Sequence, residues 1–244
     1  MATVWIDRPA KLNSMTVAMR GEFPDIFRTL DTADGVRVVI IRGKGGKAFS
    51  AGGDIPEFLT LEPADLELWG ETVSWPERCR KPVIAAIDGF CMGAGLELAV
   101  ACDFRIATSR SEFAFPEVRL GMIPGSGGTQ RAMRLMGSIT RAKLFIMTGQ
   151  RIKGPQAEAW GLVSRSVEAE EFDKVVSELA AQLAELAPLA IRTLKTVLNR
   201  GIEAPLETAL ELERKAYAWL RSTHDYEEGV KSFVEKRPPK YQGR

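Results

Sequence analysis

The chain has 244 residues, 45% of them apolar and 27% charged, with 33 Lys and Arg against 32 Asp and Glu. That balance excludes a disordered, collagenous or coiled-coil chain, and a net charge of +1 gives no general attraction for polyanions. A single histidine, His224, excludes a His-rich metal site and any mechanism that needs two histidines; Cys79, Cys91 and Cys102 fit a reducing compartment, not a disulfide framework or a zinc site.

The length suits one large domain, or one domain with an appendage. No apolar run approaches the ~20 residues that span a bilayer. The first residues carry no basic stretch followed by an apolar one, so no signal peptide is expected and the cytoplasm is the expected location.

In chain order, Thr3 to Asp7 reads as a short strand closed by Pro9. Val36 to Arg42 is a β-branched run and reads as a buried strand. A glycine-rich loop from Gly43 to Gly53 follows. Val83–Ile87 and Phe104–Thr108 read as further strands. Leu96–Ala101, Thr129–Met136 and Arg141–Met147 read as helices between or after them, and strands alternating with helices predict an α/β fold. From Phe172 to Ala187 apolar residues recur at helical spacing up to Pro188. Leu189–Arg200 and Pro205–Arg221 continue as helices. Asp225 and Glu228 resemble a capping box opening a last helix that stops before Pro238. The expected organisation is an α/β body over 1–187 and an all-helical region over 188–244.

Three segments carry possible chemistry. In the first, Ala51-Gly52-Gly53-Asp54-Ile55, Asp54 reads as an N-cap with proline just inside the new helix, and backbone N–H groups at such a turn face anions. It is not a P-loop, because no Gly-Lys-Ser/Thr follows at the required spacing. In the second, Gly93-Ala94-Gly95-Leu96-Glu97, a strand ends, glycines turn the chain and a helix begins. Glu97 falls in its first turn, where it complements the helix dipole, and its apolar neighbours raise a carboxyl pKa. In the third, Glu117 follows Pro116 among apolar residues, and Gly125 to Gly128 lead into another helix start. Each has an ordinary structural explanation when taken alone. Together they offer two N–H donors for one oxygen and two carboxyl groups as an acid/base pair, a kit for reactions through a thioester enolate that needs no histidine, metal or cysteine.

On these residues the chain resembles the crotonase superfamily, and within it the enoyl-CoA hydratases, over essentially its whole length. The most specific segments are Phe49–Asp54, Gly93–Leu98 with Cys102-Asp103, and Pro116-Glu117 followed by Ile123–Arg131; the ending Glu228–Arg237 is also similar. The resemblance implies a crotonase-like spiral of ββα units with a C-terminal helical trimerisation region, assembled as a homotrimer or homohexamer. It implies hydration of 2-enoyl-CoA to 3-hydroxyacyl-CoA, with isomerisation of 3-enoyl-CoA or another crotonase-type reaction as the alternative. The acyl-CoA thioester is the implied substrate; no further cofactor, metal, nucleic acid or membrane partner is expected. By position, Gly53 and Ala94 match the oxyanion hole, Glu97 and Glu117 the catalytic glutamates, and Gly125 a water-positioning N–H. Lys11, Leu12, Ala51, Asp54 and Ile55 match CoA-holding segments, and Phe233 and Lys236 the tail that reaches CoA in the trimer. Ala94 stands where many hydratases carry glycine, and Pro56 where a lysine often follows. The chain enters its first strand almost at once, so a preceding strand of the family is expected to be missing. Trp69 and Trp75, in the variable segment after the first loop, either line the acyl pocket or pack in the core.

Overall fold

The computed structural model describes the backbone of residues 1–244 and the side chains of all but residues 20, 63, 64 and 66–68. In chain order, β1 (Ala2–Ile6) leads through a 3₁₀ turn (Pro9–Lys11) to α1 (Met19–Thr32), β2 (Val39–Gly43) and β3 (Ala48–Ser50). A second 3₁₀ turn (Ile55–Leu59), α2 (Pro63–Val73) and α3 (Trp75–Arg78) precede β4 (Val83–Ile87), β5 (Phe90–Met92) and α4 (Ala94–Val100). Then come β6 (Phe104–Thr108), β7 (Glu112–Ala114), a 3₁₀ turn (Glu117–Leu120), α5 (Gly128–Met136) and α6 (Ile139–Thr148). The chain closes with β8 (Ile152–Lys153), α7 (Gly154–Ala159), β9 (Arg165–Val167), α8 (Ala169–Glu185), α9 (Pro188–Gly201), α10 (Leu206–Leu220) and α11 (His224–Val234).

The strands form two sheets, ordered β1-β2-β4-β6-β9 and β3-β5-β7-β8. All pairs are parallel except β7 with β8. Consecutive strands β2–β3, β4–β5 and β6–β7 cross from the large sheet to the small one before helices return the chain. This is the spiral of ββα units.

The inner strands of the large sheet, β2, β4 and β6, are covered on both faces, as strands of parallel sheets are. Along β2 and β4, Val39, Ile41, Val83, Ala85 and Ile87 face the main core, while Ile84 and Ala86 face a second core with Phe172, Val176 and Ala180 of α8. The period of two explains why these runs are continuously apolar. A buried ion pair ties α9 to the body: Lys195 Nζ lies 2.7 Å from Asp103 Oδ2 and also donates to the carbonyls of Pro76 and Lys81.

β4 and β6 match the expected limits, and the helices between Leu96 and Met147 lie within a few residues of theirs. The run from Val36 does not start a strand at once. Val36 N–H closes the turn after α1 by donating to Ala33 O, and pairing begins at Val39. The final helix is capped by Thr223, whose hydroxyl accepts the Tyr226 N–H at 3.2 Å, not by Asp225. Buried Asp225 instead accepts the N–H groups of Gln242 and Gly243 from the returning tail.

Candidate active site

Two glycine turns meet at the edge of the small sheet. After β3, Gly52 adopts φ +107°, which favours glycine. Its carbonyl accepts from Met15 N–H at 2.8 Å, and Asp54 N–H donates to Met15 O at 2.9 Å. Buried Asn13 fixes the strand below by donating to Lys44 O and Ala48 O. Among the described residues, the Gly53 N–H between these anchors has no acceptor. Asp54 is not an N-cap by side chain. The turn after it has no side-chain cap, and the carboxylate pairs with Arg8 at 2.9 Å.

After β5, Gly93 takes φ 51°, ψ −128°, and its N–H donates to Ala114 O of the next unit. The chain then enters α4, whose first N–H, that of Ala94, has no intrahelical partner and no other acceptor among the described residues. The two turns touch: a Cβ on Gly52 would lie 3.6 Å from Ala94 N and 3.7 Å from Gly93 Cα. A Cβ on Gly95 would stand 2.6 Å from the Ser50 Cβ and carbonyl oxygen, so this approach requires glycine.

Glu97, one turn into α4, is 3% exposed. Its Oε1 accepts N–H groups from Ser126 at 2.7 Å and Gly128 at 3.0 Å. Burial raises its pKa; those donors and the Arg131 guanidinium pull the other way. Arg131 also braces the loop, donating to Ser126 O, Ser74 Oγ and Glu77 Oε2. The Gly125–Gly128 loop is therefore the second half of the Glu97 site.

Glu117 opens the 3₁₀ turn after β7, placed by Pro116 and closed by Gly121 at φ 73°. Its pKa is raised to about 7, chiefly by burial; its own backbone N–H opposes this and the nearby Glu97 charge adds to it. Its Oε2 is buried with no hydrogen-bond partner among the described residues.

Both glutamates line one cavity of about 130 Å³, together with Ala51, Gly53, Ile55, Ala94 and Gly125. Phe58, Leu120, Met122 and Ile123 supply apolar wall, so the site offers two carboxyl groups and two unused N–H groups in semi-apolar surroundings. Exposed Lys11 and Leu12 lie beside it, where Ala51 N–H donates to Leu12 O at 2.9 Å. Asp54 adjoins the cavity in sequence but does not line it, and neither do Phe233, 86% exposed at the end of α11, or Lys236 just beyond. Ser126 is a residue that the sequence reading passed over; the glycines around it were its only signal. Of the two tryptophans, Trp69 both lines the cavity and is 4% exposed in the core. Trp75 packs against that core, with the Arg28 guanidinium 5.0 Å from its ring.

Among the described residues, no group of three or more His, Cys, Asp or Glu side chains converges as metal ligands. Among the described residues, no helix is long and apolar enough to cross a membrane.

The family model for enoyl-CoA hydratase/isomerase matches residues 1–244. The chain is 39% identical to the short-chain-enoyl-CoA hydratase of Clostridium acetobutylicum, over 97% of this chain and 92% of that one. It is 36% identical to the crotonyl-CoA hydratase of Syntrophomonas wolfei, with the same coverage of both. The crystal structure of an enoyl-CoA hydratase from Bacillus anthracis superposes with a TM-score of 0.95 at 37% identity, covering 99% of this chain and 95% of that one. The ββα spiral, the two glycine turns and the match along the full length agree, and the chain belongs to the enoyl-CoA hydratase/isomerase family of the crotonase superfamily.

Proposed function

We propose that the protein hydrates 2-enoyl-CoA thioesters to 3-hydroxyacyl-CoA. The observation that carries this reading is the pair of glutamates on one cavity, one with a pKa near neutrality and a buried oxygen left unpartnered. The thioester oxygen lies between the N–H groups of Gly53 and Ala94, which are preorganised to meet the negative charge of the enolate. Only the Ala94 N–H is used, so the methyl group is compatible with this role. Glu97, oriented by Ser126 and Gly128, holds and activates the water, aided by the Gly125 N–H. Hydroxide adds to the β-carbon as the water proton passes to Glu97, and Glu117 delivers a proton to the α-carbon. Return of a proton from Glu97 to Glu117, directly or through solvent, resets the pair.

Lys11, Leu12, Ala51, Asp54 and Ile55 are assigned to CoA, a reading supported by Ala51 and Ile55 on the cavity wall and by the Ala51 N–H bond to the Leu12 carbonyl. Phe233 and Lys236 lie off the cavity of their own chain and reach CoA only in an assembly. Exposed Leu198, Ile202, Leu206, Phe233 and Val234 in the helical region over 188–244 support a homotrimer, alone or doubled. Coenzyme A enters as part of the substrate, and the proposed compartment is the cytoplasm.

The test is the ultraviolet absorbance of crotonyl-CoA mixed with the purified protein. Loss of the conjugated absorbance with 3-hydroxybutyryl-CoA as product is the expected result. An inert crotonyl-CoA together with conversion of a 3-enoyl-CoA to its conjugated isomer would replace hydration by isomerisation.

A further inference from the structure

The acyl cavity has a much larger neighbour. A groove of about 830 Å³ runs between the body and α8–α9, with Leu183, Ile191, Leu194 and Leu198 along its outer wall. Gly125 and Ser126 border both spaces. On the opposing helix α2, Trp69 faces the acyl cavity and the next residue, Gly70, faces the groove. α2 and the Gly125–Gly128 loop meet between the two spaces: a Cβ on Gly70 would be 3.9 Å from Ser126 Cα.

Size decides what the inner space holds. An apolar cavity of roughly 150 Å³ takes one benzene. The space beside Glu97 and Glu117, at about 130 Å³, must hold the reacting carbons and a water as well. That leaves room for a short acyl group and none for a long alkyl tail.

We propose that Trp69 is a specificity-determining wall of the acyl cavity, restricting the protein to short acyl groups, and that shortening this side chain enlarges the space open to the acyl tail. The inference rests on the acyl-CoA reading of the site. Trp69 meets the end of the chain and takes no part in proton transfer.

Titration calorimetry with butyryl-CoA and decanoyl-CoA reads the wall without turnover, because these saturated thioesters have no double bond to hydrate. The native protein is expected to bind butyryl-CoA more tightly. Each methylene newly buried is worth about fourfold in affinity, so Trp69→Ala is expected to improve decanoyl-CoA relative to butyryl-CoA by at least about tenfold. Trp69→Leu, which keeps more of the core packing, should shift the ratio in the same direction and serves if the alanine variant does not fold. Native protein that favours decanoyl-CoA, or a folded variant with an unchanged ratio, overturns the proposal. Crotonyl-CoA hydration is measured in parallel. Absent hydration with the expected binding pattern counts against the hydratase reading alone, and failure to bind either thioester overturns both.

Discussion

The Glu117 carboxyl is seated against the bare backbone of Gly93: a Cβ placed on Gly93 would come within 3.2 Å of Glu117 Oε1. The same residue holds φ 51°, ψ −128°, a conformation open essentially to glycine alone. Gly93 thus sets the direction of the Ala94 N–H and leaves room for the acid at the same time. Gly93→Ala is expected to lower kcat on crotonyl-CoA by at least about a hundredfold, the usual scale for a misplaced catalytic group. The backbone strain costs about 1–3 kcal/mol of stability. Steady-state kinetics and thermal unfolding on one preparation check both numbers.

In the proposed mechanism Glu97 and Glu117 each gain or lose a proton, and Glu97→Gln and Glu117→Gln each remove one of these groups. Each is expected to reduce kcat by about 10²- to 10⁴-fold with KM little changed. A variant within a fewfold of the native rate would remove that glutamate from the mechanism.

The raised pKa of Glu117, about 7, fixes a direction for the pH dependence. Hydration and dehydration both start from a pair that carries one proton, on Glu117 for hydration and on Glu97 for dehydration. Loss of that proton silences both directions, so kcat/KM falls in both as pH rises through about 7, and the two profiles keep a constant ratio because the equilibrium takes up no proton. Glu117→Gln is expected to remove this ionisation from both profiles.

The same shift has a consequence for stability. The folded pKa lies above the ordinary glutamate value of 4.5, so the native state keeps a proton that the unfolded chain has released. Stability is therefore lost as pH rises from about 4.5 to 7 and is not regained above that. Glu117→Gln removes the penalty and is expected to stabilise the inactive protein by up to roughly 3 kcal/mol at pH 8, with almost no effect at pH 4.5. Urea unfolding at the two pH values measures the difference.

Lys195 is the partner of an almost buried Asp103 carboxylate, which also accepts the Val83 N–H at 2.7 Å. Lys195→Met strands that charge and is expected to cost about 3–5 kcal/mol; adding Asp103→Leu should recover much of the loss, because removing both charges also removes the unpaired one. Denaturant midpoints of the single and double variants report this coupling.

What could be read from the sequence depended on how far each signal extended along the chain. β4 is a five-residue buried run of β-branched and small residues, and β6 ends in Ile106-Ala107-Thr108 of the same kind after Phe104 and Arg105; both limits could be read from the sequence. The paired strands of the small sheet, β3, β5 and β7, have three residues each, too few for a period to register. α1 carries Pro24 inside it and so lacks the look of a helix. Asp54 and Asp225 both occupy cap-like contexts, but a distant partner claims each carboxylate: Arg8 for one, the chain terminus for the other. Glu97 and Glu117 were legible because charged residues among glycine and alkyl side chains need a reason to be there. Ser126 was not, since a backbone N–H donor becomes visible only in three dimensions, and for Trp69 the sequence left pocket wall and core packing open, where the structure shows both.

The Gly53 turn follows β3, Gly93 follows β5 and Glu117 follows β7, and these strands meet through pairs such as Ala48 with Phe90 and Cys91 with Phe113. Every such pair joins distant parts of the chain, and closing long loops is slow. During refolding, helical signal and collapse will run ahead of function, since no single unit contains a working half of the machinery. Return of enzymatic turnover then serves as a clock for the moment at which the three successive units lock together.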